Sequence, residues 1–172
     1  YEPGNKFENS ILDYYKYVDG EIGKMVERLD DNTAVLVVSD HGAKKMDGGF
    51  CLNEWLIREG YLTLLEPAPA GRITPIEKLQ VDWSKTMAWG SGGYYGRLFL
   101  NVAGREPNGI IAQADYERVR DEISQKLGAV VDHEGQPMHN ICYRPEDIYK
   151  QVTNTAPDLI IYFGDLNWRS VG

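Results

Sequence analysis

Cysteine is scarce in this sequence. Only Cys51 and Cys142 occur among the 172 residues, and neither stands in a CxxC or Cys-His ligand spacing. A small scaffold held by disulfides and a cysteine-based metal site are therefore excluded. We expect both residues to be buried, reduced thiols.

Long hydrophobic runs are also missing, since no stretch of the chain approaches the roughly 18 to 20 apolar residues that cross a bilayer. No signal-like segment opens the chain. We therefore predict no membrane segment and a cytoplasmic location, although a signal could precede Tyr1, which is not a methionine.

Positive charge is in deficit. The 18 Lys and Arg residues stand against 26 Asp and Glu residues, which gives a formal net charge of -8 at pH 7. The basic residues are scattered rather than gathered in a stripe, so binding of nucleic acid by charge is not expected. A phosphorylated small molecule is compatible with this charge, because a bound divalent cation can dominate the field inside a pocket.

Two elements near the start of the chain indicate the fold class. Ser10 followed by Asp13 is a capping pattern, and the apolar residues behind it recur at helical spacing, which predicts a helix over 10–29. The run 34–38 is apolar without alternation, as in a strand that is covered on both faces. A helix that leads into a doubly buried strand indicates an α/β protein.

The same kinds of pattern predict the later elements. They are a short helix from Leu52 that ends by Gly60, a strand over 97–102, a helix from Asp115 to about Gly128, a short helix at 145–147 and a buried strand over 159–163. Glycine-rich segments at 46–49 and 90–96 are expected to be loops, and the second could close over a ligand.

The strongest local signal for chemistry is Ser39-Asp40-His41-Gly42, directly after the predicted strand. In open α/β sheets ligands gather at the carboxyl ends of the strands. A carboxylate beside a neutral imidazole is a suitable donor pair for Zn²⁺ or Mn²⁺. Asp and Ser at strand ends also commonly cap the following turn, and two ligands do not complete a zinc site, so these residues alone leave both interpretations open.

The segment AVLVVSDHG at 34–42 closely resembles the strand and metal motif of the type I phosphodiesterases and nucleotide pyrophosphatases, which belong to the alkaline phosphatase superfamily. The resemblance extends to the preceding helix through 13–19 (DYYKYVD) and to a later strand through 156–161 (APDLII). It covers most of the chain and is closest to the branch described as predicted phosphohydrolases or phosphomutases. It implies that 1–172 is the carboxy-terminal part of an alkaline phosphatase-like catalytic domain, a three-layer α/β/α sandwich fragment with a mostly parallel sheet and a possible insertion within 66–140.

The resemblance further implies a site with two divalent metal ions, Zn²⁺ or Mn²⁺. Asp40 and His41 would bind one ion together with an upstream Asp and a nucleophilic Thr or Ser. The nucleophile and the ligands of the second ion match no residue of this chain, and we expect His133 and His139 to be exposed loop residues.

The full-length protein is thus predicted to be a metal-dependent phosphoester hydrolase that acts on a phosphorylated small molecule. Residues 1–172 alone are expected to be inactive and able to form a homo-oligomer. Two alternatives stay open: a non-catalytic binding or assembly module that retains the fold, and phosphomutase or sulfatase-type chemistry on the same scaffold.

Six further residues are candidates for substrate contact, because they follow the metal motif, the second glycine-rich segment or the last predicted strand. They are Lys44, Asp47, Arg97, Asp165, Asn167 and Arg169. The guanidinium of Arg97 could hold phosphate oxygens in a bidentate fork. For the residues at 165–169, a turn or capping role is favoured over direct contact.

Overall fold

The computed structural model of the chain describes residues 3–171, which fall into two units, Tyr1–Gly42 and Ala43–Gly172. The first unit contains helix α1 (Ser10–Val26). The second contains β1 (Gly48–Cys51), α2 (Leu52–Arg58), β2 (Ala88–Ser91), β3 (Gly96–Leu100), α3 (Tyr116–Gly128), β4 (Ile141–Tyr143), α4 (Pro145–Ile148), β5 (Leu159–Tyr162) and β6 (Trp168–Val171), with short 3-10 helices at Ile76–Lys78 and Gln113–Asp115.

The helix predicted from the apolar periodicity is present as α1, but its predicted cap is not. Its N-cap residue is Asn9, and no side chain caps the helix, so the pair Ser10 and Asp13 does not form a capping box. None of its residues is buried; Ile11, for example, is 74 % exposed and Met25 is 69 % exposed. Among the helices in residues 3–171, none has the length and apolar character that a membrane span requires.

The prediction of a buried strand at 34–38 is wrong for this structure. These residues form no strand, and Leu36 and Val37 are 84 % and 92 % exposed. An extended segment becomes a strand only where neighbouring strands complete its hydrogen bonds, and none of the described residues pairs with this run. The apolar run therefore remains an exposed segment.

The second unit mixes helices with two sheets, which confirms the α/β class in its broad sense. A four-stranded sheet has the order β2-β3-β5-β4, and all of its neighbouring strands are antiparallel. Strands β1 and β6 form a separate parallel pair in the register Gly48 to Trp168. The mostly parallel sheet is thus not confirmed among the described residues, because short hairpin and return connections favour antiparallel neighbours.

One hydrophobic core holds the second unit together. Along β3 the side chains alternate, so that Leu98 and Leu100 are fully buried, while Arg97 is exposed and Phe99 is half-buried. Helices α2 and α3 complete this core with Leu52, Leu56, Val119, Ile123 and Leu127. Each fully buried side chain of this size contributes about 1.5–3 kcal/mol, so packing of these two helices stabilises the second unit.

The two segments predicted as glycine loops are divided between strands and loops: Gly48 and Gly49 lie in β1, 90–91 in β2 and Gly96 in β3, whereas 92–95 joins β2 to β3 as a loop. Position 90 in β2 requires a glycine, because a Cβ there would lie only 2.5 Å from Cδ2 of Leu52, and the bare backbone lets α2 pack directly on the strand. The Asn53 side chain completes this contact, accepting from Gly90 N–H at 2.7 Å and donating to Gly90 C=O at 3.0 Å. Position 48, the first residue of β1, also requires a glycine, because a Cβ there would lie 2.5 Å from the Trp168 ring.

The two cysteines lie in different environments. Both are free thiols, as expected, but Cys51 is exposed, which corrects the prediction of a buried residue. Cys142 is half-buried, and burial raises the pKa of its thiol to about 11. Because the thiolate is the reactive form, Cys142 is protected from oxidation and alkylation.

Candidate metal centre and neighbouring charged residues

Asp40 and His41 are held in a local hydrogen-bonded arrangement. His41 N–H donates to Oδ1 of Asp40 at 3.0 Å, and the hydroxyl of Ser39 donates to the carbonyl of His41 at 2.8 Å. Nδ1 of His41 lies 3.0 Å from the carbonyl oxygen of Gly42. A carbonyl can only accept, so this bond places the imidazole proton on Nδ1 and leaves the lone pair of Nε2 free.

The free Nε2 of His41 lies 3.4 Å from Oδ2 of Asp40. The side chain of His41 is 81 % exposed and that of Asp40 is 88 % exposed. Two donors bound to one tetrahedral zinc ion at about 2.0 to 2.1 Å are themselves separated by about 3.4 Å. The same separation also suits an ion pair between a protonated imidazole and the carboxylate. The two donors thus fit a shared cation, with the second ring nitrogen oriented by a carbonyl as metal-binding histidines require.

A complete metal site is not formed by this pair alone. Within residues 3–171, no group of three or more His, Cys, Asp and Glu residues is close enough together to hold a metal ion. His133 and His139 are exposed and lie outside helices and strands, as the sequence predicted. A closed zinc site needs about four ligands and a catalytic one about three from the protein, so the two donors that the described residues bring together here are fewer than either site requires.

In the second unit, Lys44 is held against the turn that joins β5 to β6. Its ammonium group donates to the backbone carbonyl of Asp165 and to the Asp165 carboxylate, each at 2.7 Å. Asp165 and Leu166 have φ angles of 54° and 65°, and Asn167 N–H donates to the Gly164 carbonyl at 3.0 Å. These are the features of a type I′ turn, so the predicted turn role of Asp165 is confirmed.

Asp47 and Asn167 join the same group. Asp47 N–H donates to the Asn167 carbonyl at 2.7 Å, which ties the residue before β1 to the residue before β6. The Asp47 carboxylate binds the ammonium of Lys45 at 2.8 Å, and this hydrogen bond raises the pKa of Lys45. Arg169 follows on β6, beside Gly49 in the register, with an exposed side chain that makes no ion pair among the described residues.

Arg97 does not belong to this group of charges. Its guanidinium donates to the Ser91 hydroxyl at 2.8 Å and to the Gly92 carbonyl at 3.3 Å, which closes the end of the β2–β3 hairpin. Gly93 N–H in turn donates to the Ser170 carbonyl at 3.2 Å, so the hairpin end is tied to β6. The structure therefore brings Lys44, Asp47, Asp165 and Asn167 together and gives Arg97 a role in the hairpin.

The sequence did not reveal the buried carboxylate of Asp158, whose side chain is 3 % exposed. Arg105 donates to both of its oxygens at 2.7 Å, the Tyr116 hydroxyl donates at 2.7 Å, and Leu100 N–H donates at 2.6 Å. These four bonds occupy the lone pairs of the carboxylate, so Asp158 organises the fold and has no capacity left for a substrate. The only sequence signal was its position directly before the run 159–163.

The groups around Asp158 carry shifted pKa values. Burial, followed by the hydrogen bond to Asp158, raises the pKa of Tyr116 to about 12. The hydrogen bonds to Asp158 raise the pKa of the Arg105 guanidinium above its usual range. Tyr116 therefore stays neutral and Arg105 stays charged throughout the physiological range.

Comparison with known proteins gives one match. A protein-family model described as "Type I phosphodiesterase / nucleotide pyrophosphatase" matches residues 2–172. No curated protein and no solved structure matches the chain significantly.

Proposed function

Since this chain belongs to the type I phosphodiesterase / nucleotide pyrophosphatase family, we propose that it is part of a metal-dependent phosphoester hydrolase in which Asp40 and His41 are ligands of one divalent cation, Zn²⁺ or Mn²⁺. The observation that carries the metal assignment is the 3.4 Å separation of His41 Nε2 from Asp40 Oδ2. The hydrogen bond of Nδ1 to the Gly42 carbonyl supports it, because it directs the free lone pair of the ring away from the backbone.

A divalent cation at such a site lowers the pKa of an attacking hydroxyl or water and stabilises the leaving oxygen of a phosphoester. Asp40 would contribute its anionic oxygen and His41 its neutral nitrogen. The family resemblance assigns the nucleophile, the further ligands of this ion and those of a second ion to other segments of the whole protein. The isolated chain should therefore bind a cation weakly and show activity close to background.

Charged residues that follow the metal motif suit a phosphorylated small-molecule substrate. Lys44 is three residues beyond His41 in the sequence and is half-exposed, with its ammonium group held by Asp165. Arg169 keeps an unpaired, exposed guanidinium among the described residues. Both side chains provide charge-assisted donors of the kind that bind phosphoryl oxygens.

The metal assignment can be tested on the 172-residue chain by following its three histidines in long-range ¹H–¹⁵N spectra during titration with Zn²⁺. We expect the resonances of His41 to shift first, with a dissociation constant weaker than about 1 μM because only two donors are available. Asp40→Asn should weaken this binding. Asp19→Asn, which removes an exposed carboxylate from α1, is the matched control and should leave it unchanged.

Two results would contradict the assignment: shifts of His133 or His139 at lower zinc concentration than those of His41, or equal binding by Asp40→Asn and the wild type. In the whole enzyme, Asp40→Asn should lower turnover of an aryl phosphodiester by at least about a hundredfold. The melting temperature should hardly change, because the side chain is 88 % exposed. A wild-type rate in this variant would refute the catalytic part of the proposal.

A further inference from the structure

A cleft in the unit Ala43–Gly172 is lined by residues that the proposed metal chemistry does not use. Its volume is about 270 Å³. The cleft is lined by Trp83, Trp89, Asn101, Glu106, Pro107 and Asn108.

Two tryptophans form a right-angled corner in this cleft. The Trp83 and Trp89 rings have centroids 5.2 Å apart and planes at 87°. Trp89 is fixed from behind by Phe99, which stacks on it at 5.5 Å with an angle of 16°. Trp83 is fixed at its backbone, where its carbonyl accepts a hydrogen bond of 3.0 Å from the Asn101 amide. Both indoles are only half-buried and both line the cleft, so a bound group can contact the two rings at once.

The charge around the corner favours a cation. Glu106 is the ionisable residue that lines the cleft, and no Lys or Arg residue lines it. Arg105 lies in the adjoining cleft, where its guanidinium is shared between Glu106 at 2.8 Å and Asp158 at 2.7 Å. One guanidinium against two carboxylates leaves a formal charge of -1 beside two electron-rich indole faces.

The polar groups of the cleft are largely engaged within the protein. The Glu106 carboxylate accepts hydrogen bonds from Val102 N–H and from Arg105, each at 2.8 Å. The Asn101 amide nitrogen donates to three backbone carbonyls, those of Trp83, Thr86 and Asn108. A primary ammonium group needs acceptors for three N–H bonds, and this cleft offers few free acceptors. A fully methylated ammonium group needs none.

From this arrangement we propose that the Trp83–Trp89 corner binds a methylated ammonium group. The group would be held by the two indole rings and by the Glu106 carboxylate. It could belong to a choline-type molecule or to a trimethylated lysine side chain, which share this chemistry. The site is independent of the metal ligands Asp40 and His41.

The test uses the indole ¹H–¹⁵N resonances of the four tryptophans in the 172-residue chain. Tetramethylammonium chloride should shift the Trp83 and Trp89 resonances with a dissociation constant on the order of 1–10 mM. It should leave those of Trp55 and Trp168 in place. Sodium chloride controls for ionic strength. Choline should bind at least about three times more tightly than 3,3-dimethylbutan-1-ol, its uncharged counterpart, because only the cation is attracted by the rings.

Trp83→Leu keeps an apolar side chain but removes one ring face, and it should weaken cation binding about three- to tenfold without changing the binding of the alcohol. Trp83 is not among the aromatic residues packed against the core, so this variant should fold. Tyr94→Leu, at an exposed aromatic ring that does not line the cleft, is the control and should bind the cation like the wild type. Glu106→Gln, which can still accept from Val102 N–H, should weaken cation binding alone.

Choline and Nε-trimethyllysine are then compared, and the tighter of the two identifies the source of the ligand. Binding of either one supports the site. Absence of shifts at Trp83 and Trp89, equal affinity for the cation and the uncharged alcohol, or equal effects of Trp83→Leu and Tyr94→Leu would each overturn it.

Discussion

Replacing Asp158 by Asn tests whether the buried carboxylate organises the second unit. The substitution keeps the shape of the side chain but removes its charge and one acceptor oxygen, so the four donors around it can no longer all be satisfied. Removing one partner of a buried ion pair costs about 3–5 kcal/mol. The Arg105 side chain is 41 % exposed and retains Glu106 as a partner, which lowers the expected loss to about 2–3 kcal/mol.

Asp121→Asn is the matched control for this prediction. Asp121 also pairs with an arginine, Arg144, but its side chain is 62 % exposed, and such surface pairs are worth about 0–1 kcal/mol. Urea unfolding followed by tryptophan fluorescence reports on the second unit, because all four tryptophans lie within Ala43–Gly172. A loss for Asp158→Asn within about 0.5 kcal/mol of the loss for Asp121→Asn would refute the reasoning.

Two further predictions concern a tyrosine and a strained turn. The pKa of Tyr116 is raised to about 12, so its contribution to stability is fully present below the ordinary value of about 10 and is lost as the pH rises through 12. Tyr116→Phe should therefore be less stable than the wild type at pH 8 by about 1 kcal/mol, and this difference should shrink by pH 11. Urea unfolding at both pH values measures it, and a difference in urea midpoint that stays constant would contradict the raised pKa of Tyr116. Leu166→Gly should stabilise the second unit by about 1 kcal/mol, because it relieves the φ of 65° and creates the Asp-Gly pair that type I′ turns favour, whereas Leu166→Ala should give no gain in thermal unfolding.

Periodic and continuous apolar patterns predicted several helices and strands correctly. The periodicity behind α1 and α3 and the apolar run of β5 appear in the structure as a helix, a helix and a strand. The run 34–38 carries an equally apolar pattern, yet it forms no strand. Pattern alone reports that a segment could be buried, whereas burial also requires neighbours, which the pattern does not identify.

Glycine was the least informative residue for local structure. Gly90 and Gly48 suggested loops because glycine tolerates turns, but both stand in strands where a side chain approaches the bare backbone. The distinction depends on Leu52 and Trp168, which are far away in the sequence. Only the folded structure brings these partners together.

The candidate site was predictable in part. Neighbouring residues such as Asp40 and His41 can be recognised from the sequence, because adjacency keeps their donors close together. The contact of Lys44 with Asp165 spans 121 residues, and the pairing of Arg105 with Asp158 spans 53. No local pattern encodes such pairs, so the network around Asp158 and the tryptophan corner were missed.

The parallel pairing of β1 with β6 has a consequence for the order of folding. Gly48 and Trp168 are 120 residues apart, so joining them directly in the unfolded chain would cost about 4 kcal/mol of loop-closure entropy for very few hydrogen bonds. The intervening hairpin and helices can form first through nearer contacts and shorten this separation. The β1–β6 pair should thus be the last structure to assemble, and its backbone amides should exchange with solvent before those of β3 and β5.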